Sequence, residues 1–173
     1  ETAIIYDDHD IHIVVELIGG AEGAAKKLVF ESLKNGKHVI TANKALMAKY
    51  GDELTKIAEK NKVNLEFEAS VCGGVPVIRS LKESLIANKI FKIYGILNGT
   101  SNYILSSMDK QNKSFQDVLS IAKKLGYAES NPSADINGDD VSAKLKILSS
   151  LCFNSFLSDN IYVEGIKEID KVD

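Results

Sequence analysis

Two rhythms of apolar residues alternate over the first half of the chain. Ile11-His12-Ile13-Val14-Val15-Glu16-Leu17 is a nearly continuous apolar run, the pattern of a strand buried on both faces, and Gly19-Gly20 ends it. A closing Gly36 and the spacing before it predict a helix over residues 23–35. His38-Val39-Ile40-Thr41-Ala42 reads as the next strand, residues 44–60 as a helix, and residues 64–69 as a third strand. Strands alternating with helices in this way predict an α/β fold, a parallel sheet with helices on its faces.

The rhythm changes near Gly74. Gly73-Gly74-Val75-Pro76 leads into a helix, with Pro76 suited to its first turn. Residues 89–97 alternate in part and read as a strand. Asn98-Gly99-Thr100-Ser101 turns the chain into a helix over residues 102–108, and residues 115–125 read as an amphipathic helix stopped by Gly126. Val141, Leu145, Leu148 and Cys152 then recur at helical spacing, with Lys146, Ser142, Ser149 and Ser150 on the other side. Residues 161–169 read as a last strand. This part is α+β. The predicted division is therefore residues 1–74, a partial Rossmann-type parallel sheet, and residues 75–173, an α+β domain.

Composition removes several classes of function. The 173 residues carry 21 Lys and Arg against 24 Asp and Glu, a net charge of −3 with the two signs interspersed. Nothing resembles the basic patch of a nucleic-acid surface. No apolar run is long enough to cross a membrane and no signal peptide opens the chain, so a reducing, cytoplasmic setting is expected. Cys72 and Cys152 are too far apart for a disulfide framework, and His9, His12 and His38 form no metal spacing. The opening Glu1-Thr2-Ala3 and the charged close Lys171-Val172-Asp173 read as the ends of an internal fragment.

Candidate chemistry gathers at the turns. Ligands of open α/β sheets bind beyond the C-terminal ends of the strands. Three such turns follow one another: Leu17-Ile18-Gly19-Gly20, Thr41-Ala42-Asn43-Lys44 and Ser70-Val71-Cys72-Gly73-Gly74. Their glycines either admit a ligand close to the backbone or simply make the turns. Lys44 opens a helix, where a cation is unfavourable by about 0.3–1 kcal/mol. It either pairs with a phosphate, carboxylate or carbonyl or bends out to water. Cys72 precedes Gly-Gly and a helix start, a setting that can depress a thiol pKa. It is either a nucleophile of the thioester-forming type found in acylating aldehyde dehydrogenases or a small residue beside a turn.

The stretch 126–148, GYAESNPSADINGDDVSAKLKIL, is the densest in chemistry. Lys144 falls inside the apolar stripe, and Asp140 sits one turn before it. Burial lowers a lysine pKa and a neighbouring carboxylate raises it, a balance that suits proton transfer near neutrality. The alternative is an ordinary i,i+4 pair contributing a few tenths of a kcal/mol. Glu129, Asp135, Asp139 and Asp140 crowd the preceding loop and helix start, more acids than a helix N-terminus uses.

Four segments together resemble the homoserine dehydrogenase family, in that family's order and over nearly the whole chain. They are Thr41-Ala42-Asn43-Lys44-Ala45, Glu68-Ala69-Ser70-Val71-Cys72-Gly73-Gly74-Val75-Pro76, Asn98-Gly99-Thr100-Ser101-Asn102-Tyr103-Ile104-Leu105, and 126–148. The resemblance implies NAD(P)-dependent interconversion of L-homoserine and L-aspartate 4-semialdehyde. It implies Lys144 as the acid/base group, with Lys44 and Asp140 beside the reacting centre. Glu129, Asp135, Asp140 and Lys44 would bind the substrate. Gly19, Gly20, Ala42, Asn43, Lys44 and Gly126 would lie against the cofactor. Main-chain carbonyls of Glu68, Val71, Gly73 and Val75 would match a sodium site. Residues 75–173 would be the catalytic and dimerisation domain of a homodimer. Two departures stand out: no Gly-x-Gly-x-x-Gly phosphate loop occurs, and Ser130 replaces a proline common after the glutamate. With the loop missing, the fragment could also be a ligand-binding and dimerisation module without hydride transfer.

Overall fold

The computed structural model describes residues 2–155 and 161–170. The chain forms two compact units, Glu1–Phe91 with Ala143–Leu157, and Lys92–Ser142 with Ser158–Asp173. The closing Lys171-Val172-Asp173 lies outside the described residues.

In the first unit, helix α1 (Ala3–Asp7) precedes strand β1 (Ile13–Glu16). Helix α2 (Ala24–Lys34), strand β2 (His38–Thr41), helix α3 (Lys44–Asn61) and strand β3 (Leu65–Glu66) follow. The sheet is parallel in the order β1-β2-β3, with Val14 opposite Val39 and Val39 opposite Leu65. Helix α2 stops at Asn35 and Gly36, the latter at φ 74°, as its closing glycine predicts. Asn43 caps α3 by accepting the Leu46 N–H. After β3 a single 3₁₀ turn (Glu68–Ser70) leads to the short helix α4 (Val77–Arg79), which runs into a π-helical turn (Ser80–Ser84).

Strand β1 differs from the expectation of burial on both faces. Val14 and Glu16 are buried while Ile13 and Val15 are more than half exposed. Parallel strands added in one direction by right-handed crossovers place successive helices on the same face. Here α2 packs on β1 and β2, and α3 on β3. The buried set Val14, Val39, Leu28, Val29, Leu33, Leu46 and Leu54 follows from that. The other face, with Ile13, Val15 and Ile40, stays open.

In the second unit, helix α5 (Gly99–Gln111), helix α6 (Phe115–Lys124) and the short helix α7 (Ser133–Ile136) surround one core. Ile104, Met108, Phe115, Val118, Ala122, Ala128 and Ile136 form it, with Tyr103 and Ile166 packed against it. Ser114 caps α6 by accepting from the Asp117 N–H. Helix α8 (Asp139–Phe153) begins after Gly138. Two predicted strands are absent among the described residues: residues 89–97 and 161–169 are irregular. Both have the alternation of a strand, but a strand exists only with a hydrogen-bonded neighbour. Phe91, Tyr94 and Ile96 are each largely exposed.

Candidate active site

The first cluster lies at the C-terminal edge of the sheet, wholly within the first unit. Glu16 is 1% exposed, and both of its carboxylate oxygens are in use. Oε1 accepts from the N–H groups of Ile18 (2.7 Å) and Gly19 (2.9 Å), and Oε2 accepts from the Thr41 hydroxyl (2.6 Å). Thr41 Oγ1 in turn accepts from the Asn43 N–H at 2.9 Å. Asn43 Nδ2 donates to the Gly20 carbonyl at 2.7 Å. The turns after β1 and β2 are thereby tied to each other. Gly19 (φ 84°) and Gly20 (φ 81°) lie where L side chains are strained, and a methyl group on either would meet nothing within 4 Å. The space over this turn is open to a ligand. Ala42 and Lys44, both half-buried, stand on either side of Asn43.

Glu22 anchors the far end of the same turn. Its carboxylate takes Lys49 at 2.7 Å, the Tyr50 hydroxyl and Lys26 at 3.4 Å, which hold it down at a pKa of about 2. Lys26 also lies 3.9 Å from the Tyr50 ring centre.

The third turn folds tightly. Cys72 takes φ 53° and Gly74 φ 85°, and the Val75 N–H donates to the Cys72 carbonyl at 2.8 Å. The Val75 carbonyl accepts from the Val77 N–H at 2.8 Å, leaving one lone pair for another partner. The Glu68 side chain reaches forward and accepts from the N–H groups of Ile78 (3.0 Å) and Arg79 (2.7 Å) at the start of α4. Hard carbonyl oxygens at Glu68, Val71, Gly73 and Val75 within one loop are the donor chemistry that alkali and alkaline-earth cations take. Among the described residues no cluster of His, Cys, Asp and Glu suits a metal ion. The His38 ring is engaged elsewhere, its Nδ1 accepting from the Asn64 N–H at 3.0 Å.

The second cluster lies within the second unit and centres on Asn98, which is 7% exposed. Its side-chain amide donates one hydrogen to Asp135 Oδ1 (2.6 Å) and the other to Asp140 Oδ2 (3.0 Å). Its Oδ1 accepts from the Ser101 N–H at 2.7 Å and so caps α5. Ser101 Oγ donates to the Asp135 carbonyl at 3.0 Å. Two candidate acids, 5 residues apart in sequence, are thus held by one side chain. Glu129 is exposed and is not bonded by Asn98. Gly126, at φ 79°, lines a cavity of about 640 Å³ with Thr100, Tyr103, Lys110 and Tyr127. The Tyr103 and Tyr127 rings stack at 4.3 Å, and Thr100 Oγ1 donates to the Tyr127 carbonyl at 2.7 Å.

Helix α8 carries Asp140 in its first turn and Lys144 one turn later. Asp140 is buried and Lys144 half-buried. The buried residues of the helix differ from the predicted stripe: Ile147, Leu148 and Ser149 are buried, while Val141, Leu145 and Cys152 are half-buried. Ser149, expected beside solvent, is 4% exposed, and its short side chain makes that burial cheap. Partial burial pushes the Cys152 thiol pKa up.

Sequence reading missed Asn98 and Glu16 as organisers. An asparagine before a helix announces a cap. Its reach to Asp135 and Asp140 had no local signal. Glu16 was legible as the one charge in an apolar strand.

A parallel sheet crossed by helices, with open glycine turns at its C-terminal edge, is the Rossmann-like α/β class. Residues 2–68 match the model of the homoserine dehydrogenase NAD binding domain, and residues 76–173 match the model of homoserine dehydrogenase. The chain belongs to the homoserine dehydrogenase family. It is 48% identical over 165 residues to the homoserine dehydrogenase of Neisseria gonorrhoeae, covering 95% of this chain and 38% of that protein. It is 43% identical over 170 residues to that of Bacillus subtilis, covering 98% of this chain and 39% of that protein. The crystal structure of a homoserine dehydrogenase from Thiobacillus denitrificans matches 100% of this chain and 40% of its own, at 48% identity and a TM-score of 0.94. A hyperthermophilic archaeal homoserine dehydrogenase in complex with NADPH matches 100% of this chain and 53% of its own, at 30% identity and a TM-score of 0.90. The chain therefore spans about two fifths of the length of its Neisseria and Bacillus relatives.

Proposed function

We propose that this chain supplies the central, catalytic portion of a homoserine dehydrogenase that interconverts L-homoserine and L-aspartate 4-semialdehyde. Residues 1–74 belong to the nucleotide-binding domain and 75–173 to the substrate-binding, catalytic and dimerisation domain of a cytoplasmic homodimer. The observation that carries this reading is Asn98 donating to Asp135 and Asp140 at once. Two carboxylates gathered on a buried amide suit a substrate that carries both an ammonium group and a hydroxyl.

NAD(P), when bound, supplies or takes the hydride. Gly19 and Gly20, with Ala42, Asn43 and Lys44, would hold it, and the family resemblance adds Gly126. The open side of the Gly19–Gly20 turn fits that role. Lys144, half-buried one turn after Asp140, delivers a proton to the aldehyde oxygen in the reductive direction and removes it in the oxidative one. Its cation also polarises the carbonyl beforehand. Asp140 steadies that ammonium and the substrate hydroxyl. Asp135 and Glu129 bind the substrate amino group, and Lys44 steadies the substrate beside the cofactor. A sodium ion on the carbonyls of Glu68, Val71, Gly73 and Val75 would brace the third turn.

The test is NAD(P)H oxidation with aspartate 4-semialdehyde in the complete protein. Lys144→Ala should lower kcat by about 10²–10⁴-fold with the folded state intact. Turnover close to wild type would remove Lys144 from the mechanism. Loss on alkylating Cys72 with Lys144→Ala still active would favour thioester chemistry instead.

A further inference from the structure

Glu16 is a buried carboxylate that none of the proposed chemistry uses. It is 1% exposed, yet it is held by two backbone N–H groups and a hydroxyl rather than by a cation. Burying an ionisable group is costly unless its hydrogen bonds are met. Such groups are kept where they fix something that must not move. What Glu16 fixes is specific: it grips the turn that holds Gly19, and through Thr41 and Asn43 it reaches the Gly20 carbonyl from the other side.

We infer that Glu16, acting through Thr41, is a positioning residue that locks the turns after β1 and β2 into one preformed cradle for the nicotinamide cofactor. This deepens, and rests on, the reading of the Gly19–Gly20 and Ala42–Lys44 turns as cofactor-binding. The physical reason lies in the glycines. Both sit at positive φ with nothing over them, so the turn has no side-chain packing of its own to hold it. Free glycines lose the most conformational freedom on ordering. If the turn were loose, each binding event would carry that entropic cost; the carboxylate meets it at folding instead. Thr41 is suited to the link because its one hydroxyl donates to Glu16 and accepts from Asn43 together.

The test uses the complete protein and measures NADPH dissociation directly by nicotinamide fluorescence, alongside the KM for aspartate 4-semialdehyde. Thr41→Val removes the hydroxyl and keeps the shape, so the fold should survive. It should raise the NADPH Kd about tenfold, the worth of one hydrogen bond to a charged acceptor. The semialdehyde KM should move less than about twofold, since uniform loss of structure would move both constants. Thr41→Ser should restore NADPH binding to within about threefold of wild type. Glu16→Ala, checked for folding by circular dichroism, should weaken NADPH at least as much as Thr41→Val. An unchanged NADPH Kd in folded Thr41→Val, or equal changes in both constants, overturns the assignment while leaving the cofactor site in place. Failure of the wild-type protein to bind NADPH overturns both.

Discussion

Asn98 shows how much one side chain can decide. Its amide has two N–H hydrogens, and each is spent on a different carboxylate. Two like charges drawn together this way repel, and the shared donor offsets that repulsion. Replacing the donor by a third acceptor reverses the arrangement. Asn98→Asp should raise the homoserine KM of the complete enzyme more than tenfold, roughly the cost of losing a buried hydrogen bond to a charge. Asn98→Ser, which still caps α5, should lose less. Equal effects from both variants would show that the cap alone matters. Glu22 offers a check of a different kind. Its carboxyl is held at about 2 against an ordinary 4.5, so its stabilising contribution is complete above 4.5 and is lost as pH falls toward 2. The gap in urea midpoint between wild type and Glu22→Gln should therefore be constant near neutrality, narrow below about pH 4.5 and close only near pH 2. A gap as wide at pH 3 as at pH 7 would contradict the pairing with Lys49 and Tyr50. Residues such as these were half legible. Lys44, Lys144 and the acids of the 126–148 stretch stood out by type and spacing, whereas the Asn98 contacts span 37 and 42 residues and leave no trace in any local pattern.

At the scale of elements, helices α2, α3 and α6 were readable because their ends carry their own chemistry, whereas the short α1 and α7 were not foreseen and α5 extends three residues beyond expectation at each end. Gly36 after α2, Asn43 before α3 and Ser114 before α6 each satisfy terminal backbone groups, and each boundary fell within a residue or two of expectation. The strands were harder. Residues 89–97 alternate like a strand without becoming one, because pairing depends on a neighbour that no local sequence supplies. The irregular segment 161–170 is instead held by contact. Its Ile166 N–H donates to the Ile136 carbonyl at 2.9 Å, at the end of α7. Gly165 makes that approach possible: a Cβ there would stand 2.7 Å from the same carbonyl oxygen. Gly165→Ala should cost about 1–3 kcal/mol, since backbone must move to relieve it. Thermal unfolding of the variant would show this as a lowered Tm, and an unchanged Tm would mean that the segment is not docked on α7.

For the molecule as a whole, the alternation of the first half announced a parallel α/β fold, and the family resemblance extended to both parts of the chain. What the pattern could not reveal was which face of the sheet would be covered. A continuous apolar run is the same whether one face or two are packed; the crossovers decide it, and here both helices fall on one side. The open side carries Ile13, Val15 and Ile40, at 57%, 56% and 44% exposure. Handled alone, the 173-residue chain should light up a hydrophobic dye such as ANS, and Val15→Glu should dim that signal without lowering the melting temperature. No change in dye emission would locate the sticky surface elsewhere. The practical corollary concerns preparation. Sulfate and similar excluded salts strengthen the drive to hide such a face, so they should precipitate this chain early, and a few polar replacements on those three positions are the remedy that leaves the interior alone.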